Sequence, residues 1–315
     1  MTVSLSETGE FGLIDRITAR LGTGPTVLLG PGDDGAVVAA TDGRVVASTD
    51  VLVEGRHFRT DWASATDIGH RAAAANLADI AAMGATPTAL LVALCAPPDL
   101  EVSWAEGLAD GLGAEAAVAG ASVVGGDISS SPTLTIAVTA LGDLRGASPV
   151  RRDGARDGDV IAVAGRLGHA AAGLAVLARG LRSPEVIVDA YRRPIVPYHS
   201  GPGAARLGAT SMIDISDGLL QDLGHVAKAS GVRLDVDREL LEVAPQVSEV
   251  ASALGVDPYA WILTGGDDHA LAATFPPDAH LTGDWRVIGR VGAGSGVTVN
   301  GAAYDEGPSG WDHFR

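Results

Sequence analysis

Lysine is almost missing from this chain. Lys228 is the only one among 315 residues, and the remaining fixed positive charge is arginine. A nucleotide-binding P-loop needs a lysine directly after its glycines, in the pattern G-x-x-x-x-G-K-[ST]. Lys228 lies instead in HVAKASG, a helical pattern, so no such loop can form. Cysteine is as scarce. A single Cys95, in the apolar run ALLVALCAP, excludes an intramolecular disulfide and a cysteine metal cluster. Its setting reads as a buried core thiol. Aromatics make up only 4% of the chain, so the core must be built from Ala, Val, Leu and Ile, with 42 glycines serving tight turns. No apolar run reaches the ~18 residues that span a bilayer. The segment MTVSLSETGE is acidic and polar rather than a signal peptide, so a cytoplasmic location without a membrane partner is expected. The net charge of −17 argues against nucleic acid, which requires a basic face.

What the chain has in quantity is aspartate at the ends of apolar runs. TVLLGPGDD ends at Asp33 and Asp34, RVVASTD at Asp50, ASVVGGD at Asp127 and WILTGGDD at Asp267 and Asp268, while SMIDISD carries Asp214 and Asp217. A strand that empties into a Gly/Ser/Thr turn with a carboxylate holds acids at a sheet edge. Hard oxygen ligands gathered there suit Mg²⁺, and Mg²⁺ suits phosphate. The residues therefore point to metal-dependent phosphoryl transfer.

At 315 residues the length suggests two domains. Apolar periodicity predicts helices over 7–20, 66–83 and 102–119, and strands over 27–29, 36–40, 45–48, 88–94, 122–124 and 133–141. The Gly/Arg/Asp-rich stretch GDLRGASPVRRDGARDGD, poor in apolar residues, places a domain boundary near residue 146. Beyond it, helices are expected over 169–179, 184–193, 217–230 and 245–254. Strands are expected over 160–164, 211–215, 269–275, 285–291 and 297–299, and near Ile262. Mixed strands and helices of this kind predict an α+β fold.

Each motif has a plain alternative. Gly30-Pro31-Gly32-Asp33-Asp34-Gly35 matches the dinucleotide pattern G-x-G-x-x-G, but a strand and turn (GAVVAATDG) follow where a helix is required, and two carboxylates would repel a pyrophosphate. A metal-ligand turn fits better, since Ser48-Thr49-Asp50 repeats the pattern one strand later. Asp79, mid-helix in AAANLADIAAMG, either faces solvent or needs a partner or a metal, with Asn76 one turn away in support. Gly125-Gly126-Asp127 would let a phosphate approach the backbone closely. Ser216 or Asp217 could simply cap a helix. His57, after Glu54-Gly55-Arg56, is a lone histidine of the kind that is commonly structural. Arg151 and Arg152 are either linker charges or phosphate contacts, and Trp311 is either a packed tail or a stacking lid for a flat cation.

In order along the chain, GPGDDGAVV, STDVLVEGRHF, AANLADIAAMGATP, VGGDIS, IDISDGLLQDLGHVAKASG, LTGGDDHAL and GWDHF resemble the thiamine-monophosphate kinase family, of the aminoimidazole ribonucleotide synthetase-like superfamily. The resemblance runs nearly end to end. It implies a two-domain synthetase-like α+β fold. Residues 1–146 would form an N-terminal α/β domain that binds ATP and Mg²⁺ and pairs its sheet across a homodimer into a β-barrel. Residues 147–315 would form a C-terminal α+β domain completing the active site. It further implies ATP as co-substrate and direct phosphorylation of thiamine monophosphate to thiamine diphosphate, the last step of that cofactor's biosynthesis. Asp34, Ser48, Thr49, Asp50, Asp79, Asp127, Asp214 and Asp217 would hold several Mg²⁺ ions, to which the residue reading adds Asp33. Gly126, Asp127, Arg152 and Ser216 would contact ATP, and His57, Asp267 and Trp311 the thiamine phosphate. Asp50, Asp127 and Arg152 would carry the transfer itself. The family's usual Gly-Gly-Glu-Asp-Tyr-Glu-Leu reads Gly-Gly-Asp-Asp-His-Ala-Leu here, which puts a carboxylate one methylene shorter at Asp267.

Three other readings are weaker. A selenophosphate synthetase would want a reactive Cys near its N-terminus, where this chain has none. A purine-pathway synthetase fits DISDGL and GWDHF less well. A non-catalytic nucleotide or thiamine-phosphate sensor would have little use for a full set of metal carboxylates.

Overall fold

The computed structural model describes residues 3–30 and 36–311. Asp33 and Asp34 lie outside the described residues. The chain divides into two compact units, residues 1–80 with 86–146, and residues 81–85 with 147–315.

The first unit begins with two short helices, α1 (Leu5–Thr8) and α2 (Glu10–Thr18), where one was expected over 7–20. Gly9, with φ 73°, ends the first by turning into the left-handed region. The short antiparallel pair β1 (Val27–Leu29) and β2 (Val37–Val38) follows. The main sheet is formed by β3 (Val46–Val53), β4 (Thr86–Ala96), β5 (Ser122–Ser130) and β6 (Thr135–Asp143), in the order β3-β6-β4-β5. Only β4 and β5 run parallel, joined by α4 (Val102–Ala119), as a parallel pair requires a crossover.

The other helix, α3 (Ala65–Ala82), explains the alanine content. Ala72, Ala73, Ala74 and Ala78 are fully buried. A Cβ on Gly69 would lie 2.3 Å from the Leu108 carbonyl oxygen, and one on Gly111 would lie 2.1 Å from that of Thr66. Small residues thus let α3 and α4 approach backbone to backbone, and few aromatics are needed to fill the space between them.

The second unit is built on a six-stranded sheet: β7 (Val160–Ala164), β8 (Ser211–Ile215), β9 (Arg233–Val236), β10 (Ala270–Phe275), β11 (Arg286–Gly292) and β12 (Gly296–Val299). The order is β12-β9-β11-β7-β10-β8, antiparallel except for β12 with β9. Its helices are α5 (His169–Ala178), α6 (Glu185–Arg192), α7 (Ser200–Leu207), α8 (Leu219–Ser230), α9 (Pro245–Leu254) and α10 (Pro258–Thr264). Leu219, Leu220, Leu223 and Val226 of α8 pack on Ile161, Val163, Ile213 and Ile215 of the sheet.

The mixed α+β class is thus observed. Four expectations are corrected. Ile262 lies in a helix, α10, because Asp257 accepts from the Tyr259 N–H and Pro258 takes the first helical position. The strand β9 and the helix α7 were not anticipated. Asp217 does not begin α8, which starts at Leu219. Ser48-Thr49-Asp50 and Asp127 sit inside strands β3 and β5, not in turns beyond them.

Candidate active site

In the first unit, strand alternation sends neighbouring side chains to opposite faces. Ser48 and Asp50 share the face that α3 covers. The Ser48 hydroxyl donates to Asp79 Oδ2 at 2.6 Å, and the Asp50 N–H donates to Asn76 Oδ1 at 3.0 Å. Asn76 is fully buried and donates in turn to the Ala72 carbonyl, which holds its amide in place. Asp79 therefore faces a strand rather than open solvent. Thr49 points to the other face, where its hydroxyl donates to the Val138 carbonyl and accepts from Thr139.

Asp127 is not beside this group. Asp50 pairs with Val138, Val138 with Val92, and Val92 with Gly126, so Asp50 and Gly126 stand at the two edges of the same four-stranded sheet. Three strand spacings separate them, about 14 Å. Asp127, one residue on, pairs with Ala93 and shares the face of Thr49, Val51 and Leu91. Gly126 is sterically required: a Cβ there would lie 1.8 Å from the Val92 carbonyl oxygen. His57 closes a turn at the end of β3, where its Nδ1 accepts from the Val53 N–H at 3.0 Å. That bond leaves the ring proton on Nε2 when the imidazole is neutral.

In the second unit three segments meet at one end of the sheet. His269 Nδ1 lies 3.3 Å from Asp214 Oδ2, both buried. The β8–α8 loop and the Gly265–His269 loop are stitched by two backbone bonds, Asp267 N–H to the Ser216 carbonyl and His269 N–H to that of Ile215. Asp267 and His269 both have positive φ, 67° and 50°, a conformation that costs about 1 kcal/mol or more outside glycine. Trp311, 57% exposed, donates its N–H to the Asp217 carbonyl. Gln221 bridges the Asp217 carboxylate and the Trp311 carbonyl. Arg152 is exposed, and its carbonyl accepts from Ser230 at the end of α8.

Two further acids are buried: Asp222, which the sequence reading does not name, and Asp268, which it names only as the end of WILTGGDD and gives no role. Asp222 accepts the N–H groups of Ser216, Asp217 and Gly218 on one oxygen. Burial, and then the neighbouring charge of Asp214, push its pKa up to about 7. Asp268 accepts from the Ala170 N–H and so caps α5 from a distant loop. Burial raises its pKa to about 7 against the pull of the Ala170 and Gly168 N–H groups and Arg166. Its second oxygen is buried without a hydrogen-bond partner. The signal for Asp222 was a carboxylate four residues after Gly218, one turn into an expected helix. The apolar run ending in GGDD marked Asp268, but no local signal showed it as a cap, because its partner is 98 residues away.

Among the described residues no three His, Cys, Asp or Glu side chains gather closely enough to hold a metal ion. The oxygen donors form separate sets: Ser48, Asp50 and Asp79; Asp127; Asp214 and Asp217. All are hard oxygen ligands, the chemistry that suits Mg²⁺.

Residues 32–144 match the family model "AIR synthase related protein, N-terminal domain". The thiamine-monophosphate kinase of Mycobacterium tuberculosis (strain ATCC 25618 / H37Rv) is 46% identical over 313 residues, covering 99% of this chain and 93% of that protein. The crystal structure of thiamine-monophosphate kinase from Stenotrophomonas maltophilia K279a superposes with a TM-score of 0.83 at 36% identity, covering 94% of this chain and 98% of that one. A structure described as AaThiL complexed with AMPPCP and TMP superposes with a TM-score of 0.81 at 34% identity over the whole of both chains.

Proposed function

Because the chain belongs to the thiamine-monophosphate kinase family, we propose that it transfers the γ-phosphoryl group of ATP to thiamine monophosphate, releasing ADP and thiamine diphosphate. The observation that carries this reading is likeness at 46% identity across 99% of the chain, spanning both units. An ATP analogue and TMP are named in the description of a relative that matches end to end.

The acceptor is itself a phosphate, with a second pKa of about 6, so it is largely deprotonated at neutral pH. An acceptor oxygen attacks the γ-phosphorus, the bond from that phosphorus to the β,γ-bridging oxygen breaks, and the electron pair leaves on ADP. No general base is needed. The obstacle is bringing two polyanions together, and the protein's task is alignment and charge compensation.

The donor set fits Mg²⁺. Ser48, Thr49, Asp50, Asp79 and Asp127 in the first unit, and Asp214 and Asp217 in the second, would hold several such ions, with Asp33 and Asp34 as further candidates. When bound, they would offset the phosphate charge that no P-loop lysine meets. Gly126, Asp127, Arg152 and Ser216 would contact ATP, with Arg152 as the fixed cation on the transferring group. His57, Asp267 and Trp311 would hold the thiamine phosphate. Residues 1–146 would carry nucleotide, Mg²⁺ and dimerisation, and residues 147–315 the remaining contacts. A cytoplasmic location is part of the same proposal; among the described residues no helix is long and apolar enough to cross a membrane.

A homodimer is supported by the first sheet. One face is covered by α3 and α4. The other carries Val51 and Leu91, 48% and 39% exposed. Two copies packing these faces into a closed barrel would set β3 of one beside β5 of the other. The edge that carries Asp50 in one copy would then lie beside the edge that carries Asp127 in the other, with the two side chains on opposite faces of the joined sheet.

The test is product formation from ATP, Mg²⁺ and thiamine monophosphate, followed by chromatography, with free thiamine as the control acceptor. Stoichiometric thiamine diphosphate and ADP from the monophosphate alone is expected. No product with nucleotide still bound would point to a sensor.

A further inference from the structure

We propose that Asp222 is a positioning residue for the thiamine-phosphate contacts, acting through the β8–α8 loop; the inference rests on the roles of Asp267 and Trp311 proposed above. Asp222 lies in the first turn of α8, 3% exposed, and turns back over the loop that precedes its own helix. Its Oδ2 accepts from the N–H groups of Ser216, Asp217 and Gly218, each at 3.1 Å. Three successive donors converging on one carboxylate oxygen fix the orientation of three peptide planes.

That orientation has two consequences. Successive N–H groups in a turn are the usual cradle for a phosphate. Here they point inward to Asp222, so the loop does not offer them to an anion, and Ser216 is left to act through its hydroxyl. The carbonyls of the same loop are turned the other way. The Ser216 carbonyl accepts from the Asp267 N–H at 2.9 Å, and the Asp217 carbonyl accepts from the Trp311 N–H at 3.0 Å. Both proposed substrate contacts in this unit are therefore hung on carbonyls that Asp222 orients from behind.

Each of these residues follows a glycine that permits the approach. A Cβ on Gly266 would lie 2.2 Å from the Ser216 carbonyl oxygen, and one on Gly310 would lie 2.6 Å from that of Asp217. Two chain segments far apart in sequence thus close on the same loop by the same device. Gln221, beside Asp222 on α8, adds a side-chain tie from the Asp217 carboxylate to the Trp311 carbonyl.

The experiment compares wild type, Asp222→Ala and Asp222→Asn by amide hydrogen exchange and by steady-state kinetics on the full chain. In Asp222→Ala, exchange at residues 216–218, 267 and 311 is expected to quicken about tenfold while the β7–β10 core keeps its protection. KM for thiamine monophosphate is expected to rise about tenfold, since both Asp267 and Trp311 hang on this loop; KM for ATP and kcat should also change, through Ser216 and Asp217, but by less. Asp222→Asn keeps an acceptor oxygen in the same place and should fall between the two, partly rescuing both readouts. If the alanine variant does not fold, the asparagine variant carries the test with a smaller change in the same amides. A folded variant with wild-type exchange at 267 and 311 overturns the proposal. So does one whose kcat alone falls. A wild-type protein that makes no thiamine diphosphate overturns the functional reading instead, and the exchange data then judge Asp222 separately.

Discussion

Ser48 and Asp79 are joined by a 2.6 Å hydrogen bond from strand β3 to helix α3. A carboxylate on this alanine-rich helix is held toward a strand that offers hydroxyl and carboxylate oxygens. Asp79→Asn keeps the shape and an acceptor for Ser48 but loses the charge. Turnover should fall at least about 100-fold, because the negative charge that would hold the cation is lost, with stability within about 1 kcal/mol of wild type. Near-normal turnover would remove Asp79 from the proposed ligand set. Chelation by EDTA should stop the wild-type reaction, and added Mg²⁺ should restore it.

Asp50 and Asp127 occupy the two edge strands of one sheet. Asp50→Ala and Asp127→Ala homodimers should each be folded and inactive. Mixed and allowed to exchange subunits, they should recover about one quarter of wild-type activity, since half the dimers are hybrids and one of their two sites is intact. No recovery, with subunit exchange verified, would exclude the cross-subunit arrangement.

Gly126 has no room for a methyl group. Gly126→Ala should destabilise the first unit by about 1–3 kcal/mol, because β5 must shift away from the Val92 carbonyl or the side chain must strain. Urea unfolding measures this. Gly120, in the left-handed region at the end of α4 with open space around it, is the control. Gly120→Ala should cost about 1 kcal/mol through backbone strain alone.

Asp268 should give stability a pH slope. Its folded pKa, about 7, lies above the ordinary carboxylate value, so the folded state prefers the neutral acid. The associated stability is fully present below the unfolded pKa of about 3.9 and is lost as pH rises through about 7. Asp268→Asn, which keeps the oxygen that accepts from Ala170, should flatten that slope between pH 4 and 7 by about one proton's worth. An unchanged slope in unfolding experiments across this range would place the titration elsewhere.

The sequence by itself determined the local pieces. Alanine periodicity made α3 legible, β-branched runs marked most strands, and the order of acidic motifs identified the family. These features are carried within ten or twenty neighbouring residues, where propensity and alternation act. It also excluded a P-loop, because one lysine in a helix cannot stand in such a loop. What only the tertiary structure decided is where the oxygens go. Asp50 and Asp127 both follow apolar runs, yet strand order puts them on opposite edges of the sheet. Asp79 is turned toward β3 by the packing of α3, whose buried residues include Ile68, Asn76, Leu77 and Ile80 as well as alanines, and composition alone does not orient that helix. Asp222 reads as an ordinary acid and Asp268 as one more carboxylate after an apolar run until folding buries them against N–H groups, and for Asp268 that group belongs to a helix 98 residues away. Local sequence sets which backbone conformations are cheap. Pairing register and long-range burial set which of those conformations bring charges together, and these depend on the whole chain.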